Sequence, residues 1–162
     1  MTLNSRDFRD AMGRFATGVC IVTCKDMDGR PWGATVNSFS SVSLDPPLVL
    51  FSLDRAANCF TQFSSCRSFA VNVLRVEQVD LSRAFASQTN DKWNGVGYET
   101  WDTGAPILAG SLASLECDAV ASHDGGDHVI FIGRVRRLSH GASGEPLLYF
   151  QGKYRALESV PD

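Results

Sequence analysis

The sequence predicts a mainly β domain, a small β-barrel with a few short helices at its ends. Short runs rich in β-branched and aromatic residues recur along the chain. Turn chemistry separates them at Asp26-Met-Asp-Gly29, Asp45-Pro46-Pro47 and Asp124-Gly-Gly. Helical periodicity is confined to three brief segments. At 162 residues, 44% hydrophobic and 20% charged, one compact domain spanning 1–162 with a real core is expected.

A helix over 5–16 comes first, with Ser5 as N-cap and Phe8, Met12 and Phe15 spaced into an apolar face that lies across an open end of the core. Residues 18–24 read as a strand, Asp26 to Gly29 as a hairpin turn, and 31 onward as the return strand. That strand enters the stretch on which the chain is centred, 34–52. The paired prolines Pro46 and Pro47 cannot continue a ladder, so a second apolar strand over 48–52 begins after them. A helix over 53–64, a strand over 68–74 and a short amphipathic helix over 76–86, carried by Val79, Leu81 and Phe85, follow. Residues 87–105 lack apolar periodicity and read as a long loop; its Lys92, Trp93, Tyr98 and Trp101 either cover a planar ligand or anchor the loop to the core. The last third returns to strands. Long ones over 107–122 and 127–138 lie side by side and dominate one flank of the barrel; a turn over 141–145, a closing strand over 146–151 and a short piece from Tyr154 complete the chain.

Charge and composition exclude several function classes. The net charge is −3 and the Lys and Arg residues are scattered, which is not the footprint of a nucleic-acid binder. No apolar run is long enough to span a bilayer, and the first residues lack the order of a signal peptide, so a cytoplasmic protein without membrane contact is expected. Cysteines at 20, 24, 59, 66 and 117 show no C-x-x-C pair and read as free, mostly buried thiols, with Cys59 and Cys66 near the presumed pocket. The three histidines share no metal-site spacing, so no metal is expected.

Two constellations carry the candidate chemistry. Thr35, Asn37, Ser38, Ser40, Ser41 and Ser43 bring many donors and acceptors and no charge, which suits a ligand with carbonyl, ring-nitrogen and hydroxyl edges. The expected helix start near Asp54 and Arg55 presents unpaired N–H groups to a phosphate; the plainer alternative is an Asp54 cap beside a solvated Arg55. Second, Gly126-Asp127-His128 places an imidazole at a barrel rim, where it meets a bound ring or serves only as a turn residue.

Five segments in this order resemble the short-chain flavin reductases, the reductase components of two-component flavin monooxygenases. They are Phe-Ala-Thr-Gly-Val (15–19), Thr-Val-Asn-Ser-Phe-Ser-Ser-Val-Ser-Leu-Asp-Pro-Pro-Leu (35–48), Ser-Phe-Ala-Val-Asn-Val-Leu (68–74), Gly-Asp-His-Val-Ile-Phe-Ile-Gly-Arg-Val (126–135) and Pro-Leu-Leu-Tyr-Phe-Gln-Gly-Lys-Tyr (146–154). The resemblance implies an FMN-binding split β-barrel, Greek-key-like and usually a homodimer. It also implies hydride transfer from NADH or NADPH to FMN or FAD, with reduced flavin passed to a transient partner oxygenase.

By the same resemblance, Thr35, Val36, Asn37 and Ser38 border the isoalloxazine edge and ribityl chain, with Ser41 close by. Ser52, Arg55, Ala57 and Asn58 hold the phosphate side, and Phe85 and Lys92 lie at the far end of the flavin. His128 is the candidate catalytic residue, contacting the nicotinamide as a positioning group or proton donor, and Tyr154 helps shape that pocket. Hydride transfer needs placement more than protein nucleophiles. No Gly-x-Gly-x-x-Gly opens a helix, so the nicotinamide is expected to bind over the flavin rather than in a Rossmann domain. Two other readings stay open: a split-barrel oxidoreductase that keeps FMN bound and uses another substrate, as in the pyridoxamine-phosphate oxidase relatives, and a non-enzymatic flavin-binding module.

Overall fold

A computed structural model describes residues 4–89, 91–141 and 143–158. Seven antiparallel strands form its main sheet: β2 (Cys20–Lys25), β3 (Pro31–Val36), β4 (Ser40–Leu44), β5 (Pro47–Asp54), β6 (Ser68–Val73), β9 (Ala113–Gly125) and β10 (His128–His140), in the order β3-β2-β6-β9-β10-β5-β4. Smaller sheets join β1 (Thr17–Gly18) to β11 (Leu148–Phe150) and β12 (Lys153–Arg155), and β7 (Tyr98–Thr100) to β8 (Pro106–Leu108). The helices are α1 (Ser5–Met12), α2 (Phe60–Ser65) and α3 (Val79–Ala86), the last preceded by a 3-10 turn, Val76–Gln78. No helix among the described residues is long and apolar enough to cross a membrane.

The order of strands explains the barrel shape. β3 and β4 are consecutive in the chain yet occupy opposite edges of the sheet, with only Asn37, Ser38 and Phe39 between them. The sheet therefore has to coil until its edges nearly meet. They meet through a side chain rather than a ladder: the Ser38 hydroxyl donates to the Ser52 carbonyl (3.0 Å) and accepts from the Ser52 N–H (2.9 Å). The seam between β3 and β5 is thus split, as the resemblance implies.

Inside the coil, Phe51 lies parallel to Phe131 (5.3 Å between centroids) and meets Phe63 and Phe69 edge-on at 5.6 and 5.1 Å. β2 is buried on both faces, so it reads as a continuous apolar run. Cys20, Val22 and Cys24 face this core, while Val19 and Ile21 face a second one built with Leu74, Phe85, Leu108 and Leu147. All five cysteines are free thiols, four of them buried.

The two long strands are there, paired over nearly their whole length. The hairpin loop between them is Gly126-Asp127, one residue beyond the expected turn, with Gly126 at φ +76° where a side chain would be strained. Four expectations need correction. The expected 107–122 strand is broken, because Gly110 at φ +76° ends β8 before β9 begins. The helix expected over 53–64 starts only at Phe60: residues through Asp54 stay in β5, since Asp54 pairs with His128 of β10 and that ladder overrides local helical preference. The 87–105 loop contains β7. Finally, α1 is capped by Asn4, whose side chain accepts from the Arg6 and Asp7 N–H groups, and buries none of its residues. Phe8, Met12 and Phe15 are 54, 53 and 71% exposed.

Candidate functional site

At the split seam the edges of β3 and β5 diverge, and α3 closes the gap from one side. The result is a cleft of about 280 Å³. Its wall from β3 is Ala34, Thr35 and Val36, followed by Asn37 and Ser38 of the connecting turn; Ser52 and Leu53 face them from β5. Ala57, Asn58 and Cys59 come from the turn after β5, and Phe85 to Gln88 from the end of α3. Lys92 and His128 stand at the rim. A wider groove of about 530 Å³ lies between the end of α1, the turn that follows it (Gly13 to Phe15), and Tyr149, Gln151 and Gly152, touching this cleft at Asn37.

Several side chains of the cleft are held from behind. The Thr35 hydroxyl donates to the Ser82 carbonyl (2.7 Å), which leaves its oxygen as an acceptor toward the cleft. The Ser38 hydroxyl is spent on the seam in both directions. Phe85 approaches β3 closely because residue 33 is glycine: a Cβ there would stand 2.8 Å from the ring. The Lys92 ammonium donates to the Phe85 carbonyl (3.2 Å) and reaches the Asn58 side chain (3.5 Å). Partial burial pulls the Lys92 pKa below its ordinary value, and burial pushes the Cys59 thiol up, so Cys59 is an apolar wall and not a thiolate.

His128 opens β10 directly beside the hairpin loop, and its Nδ1 lies 2.7 Å from the Asp127 carboxylate. An ionised carboxylate only accepts, so Nδ1 carries the proton there and Nε2 is the ring's remaining acceptor. The imidazole in turn holds the Asp127 carboxyl below the usual carboxylate range.

Of the residues expected at the site, Thr35, Val36, Asn37, Ser38 and Ser52 converge on the cleft, as do Ala57, Asn58, Phe85, Lys92 and His128. Three do not line it. Ser41 is exposed on the edge strand β4, carried outward past a bulge between Ser41 and Ser43, and Ser40 and Ser43 share that strand. Arg55 clips the hairpin loop: its N–H donates to Asp127 O (3.0 Å), its Nε to Gly126 O (3.1 Å), and its guanidinium pairs with Asp124. The phosphate-binding helix start expected there is a turn in which Asp54 takes the Ala56 and Ala57 N–H groups. Tyr154 sits behind the cleft, its hydroxyl 2.9 Å from that of Ser82, the residue whose carbonyl holds Thr35. Sequence reasoning missed Ser87 and Gln88, which reach the cleft only because α3 ends where it does; Ser87 caps that end through the Ala84 carbonyl (2.7 Å).

The donor set fits a flavin. Its lining combines neutral hydroxyls and carboxamides, the apolar side chains of Val36, Leu53, Ala57 and Phe85, the Lys92 ammonium and one carboxylate, Asp54, which accepts from the Ala56 N–H; the hydroxyls and carboxamides suit a polar-edged ring, the apolar groups its body and Lys92 a phosphate.

A model of the flavin reductase like domain matches residues 12–158. The chain is 44% identical over 151 residues to the FMN reductase (NADH) SmoA of Agrobacterium fabrum, covering 93% of this chain and 85% of that one. It is 40% identical over 156 residues to HsaB of Rhodococcus jostii, the reductase subunit of a flavin-dependent monooxygenase, covering 96% of this chain and 80% of that one. Among solved structures, the NADH:FAD oxidoreductase SgcE6 of Streptomyces globisporus, in complex with NAD and FAD fragments, superposes with a TM-score of 0.88 at 36% identity, covering 100% of this chain and 98% of that one. With a family model spanning most of its length and relatives this similar over four fifths or more of theirs, the chain belongs to the flavin reductase like domain family.

Proposed function

We propose that this protein is an NAD(P)H-dependent flavin reductase that supplies reduced FMN or FAD to a partner monooxygenase. The observation that carries the reading is the split-seam cleft, where uncharged donors, apolar walls and the Lys92 ammonium line one space. The flavin, when bound, supplies the hydride-accepting ring. The chain's own residues place and shield it. Asn37, Thr35 and Ser52 present a carboxamide and hydroxyls to the ring edge and ribityl chain, while Lys92 and Asn58 hold the phosphate. Phe85, Val36 and Leu53 keep water from the buried side. His128 Nε2, aimed by the Nδ1 contact to Asp127, contacts the nicotinamide carboxamide and fixes its approach. Tyr154 acts through Ser82, steadying the strand position of Thr35.

The reading treats the chain as one domain that works as a homodimer in the cytoplasm. Support for dimerisation is the exposed apolar surface of Phe8, Met12 and Phe15. The test of function is oxidation of NADH and NADPH, followed by absorbance, with FMN, FAD or no flavin, on wild type and His128→Ala. Flavin-dependent oxidation that falls in the variant is expected. Flavin binding without oxidation under any pairing overturns the enzyme in favour of a binding module.

A further inference from the structure

A second cleft of about 350 Å³ adjoins the first and shares Asn58 and Lys92 with it. Its walls are Trp32 of β3 and Trp93 of the loop after α3, with Arg30, Pro31 and Thr89 around them. Both indoles are locked from outside. Trp32 Nε1 donates to Asp26 (2.9 Å), and Asp26 also takes the Arg30 N–H (2.9 Å), so one turn carboxylate fixes both residues. Trp93 is wedged edge-on against Phe85 (4.9 Å) and Tyr98 (5.3 Å). The ammonium of Lys92 stands at the junction of the two clefts.

We infer that this cleft is an adenylate subsite and that the preferred flavin is FAD rather than FMN. The inference rests on the flavin reading of the first cleft. Preset aromatic walls suit a flat heterocycle, and a cation at the entrance suits a phosphate linkage. A flavin whose phosphate lies at Lys92 ends there if it is FMN; if it is FAD, its pyrophosphate and adenine continue into the space between the tryptophans. The adenylate of NADH has the same chemistry. The continuity through Asn58 and Lys92, at the phosphate end and away from His128, favours FAD as its source.

The experiment is calorimetric titration of the flavin-free protein with FAD and with FMN, on wild type, Trp32→Ala and Trp32→Phe, alongside the KM for NADH with FMN as acceptor. Wild type is expected to bind FAD at least about tenfold tighter than FMN, the scale of one stacked base. Trp32→Ala loses that preference, and Trp32→Phe, which keeps a ring face without the Asp26 bond, retains part of it. A normal thermal transition and retained FMN affinity show that each variant is folded. Equal wild-type affinities for the two flavins, or equal losses in Trp32→Ala, overturn the subsite while leaving the reductase reading intact. A raised KM for NADH with an unchanged flavin ratio overturns the assignment to FAD and gives the cleft to the nicotinamide cofactor. Binding of neither flavin overturns both readings together.

Discussion

Lys92 is held in a compromise. Its ammonium is partly desolvated, and its pKa is lowered for that reason. A base with a lowered folded pKa costs stability while charged, and the cost is relieved as pH rises from the lowered value to the ordinary 10.5. Lys92→Met should therefore raise the melting temperature of the flavin-free protein slightly. It should also weaken FMN binding about tenfold, the scale of one lost charge-assisted hydrogen bond. Calorimetry and melting curves on the same preparation check both; higher affinity in the variant would remove Lys92 from the phosphate site. His128 is a different case, because Asp127 rather than burial defines it. His128→Asn should raise the KM for NADH roughly three- to tenfold, one hydrogen bond's worth, with FMN affinity within about twofold of wild type. An FMN affinity that falls in parallel would place the imidazole on the flavin instead.

At the scale of elements, glycine and turn chemistry decide the shape of the cleft. A Cβ at residue 33 would stand 2.8 Å from Phe85, so Gly33→Ala pushes that ring off β3 and toward the ligand. The expected result is a loss of about 1–3 kcal/mol of stability together with weaker flavin binding, measured by denaturant unfolding and fluorescence. The β2–β3 hairpin depends on Asp26, whose carboxyl is lowered by the Trp32 indole N–H and then by the Arg30 and Asp28 N–H groups. A lowered acid contributes stability above its ordinary value of 3.8 and loses it as pH falls through the folded value. Acid titration of tryptophan emission should show this step in wild type and not in Asp26→Asn. Most strands were legible because alternation and turn residues agree along the chain. The 53–64 helix was misread because nothing local announces that Asp54 pairs with His128, a contact made 74 residues later in the chain. Ser41 was misplaced for a related reason: a bulge beside it is a property of the β4–β5 pair and not of the hydroxyl run. Trp32 carries no local signal for a site, and only the fold brings it to the same cleft as Trp93.

For the whole molecule, the apolar surface of Phe8 and Met12 on α1 and Phe15 just after it calls for a partner surface. Sedimentation is expected to give twice the chain mass, and Phe15→Glu to shift it toward the monomer; a monomeric wild type would end the dimer proposal. The seam has a broader consequence. Where ladder bonds would join β3 to β5, Ser38 supplies one hydroxyl bridge, and the proposed ligand lies across the same gap. A bound flavin then fastens the two edges of the sheet, and binding free energy becomes folding free energy. At a hundredfold excess over Kd the gain is about 2.7 kcal/mol. For a chain of this length that is a rise of about 5–10 °C in melting temperature, which a thermal scan with and without FMN would read. An unfastened chain opens first along this line and is the form that proteases meet. The amount of protein a cell keeps, and not only its turnover, would follow the supply of flavin.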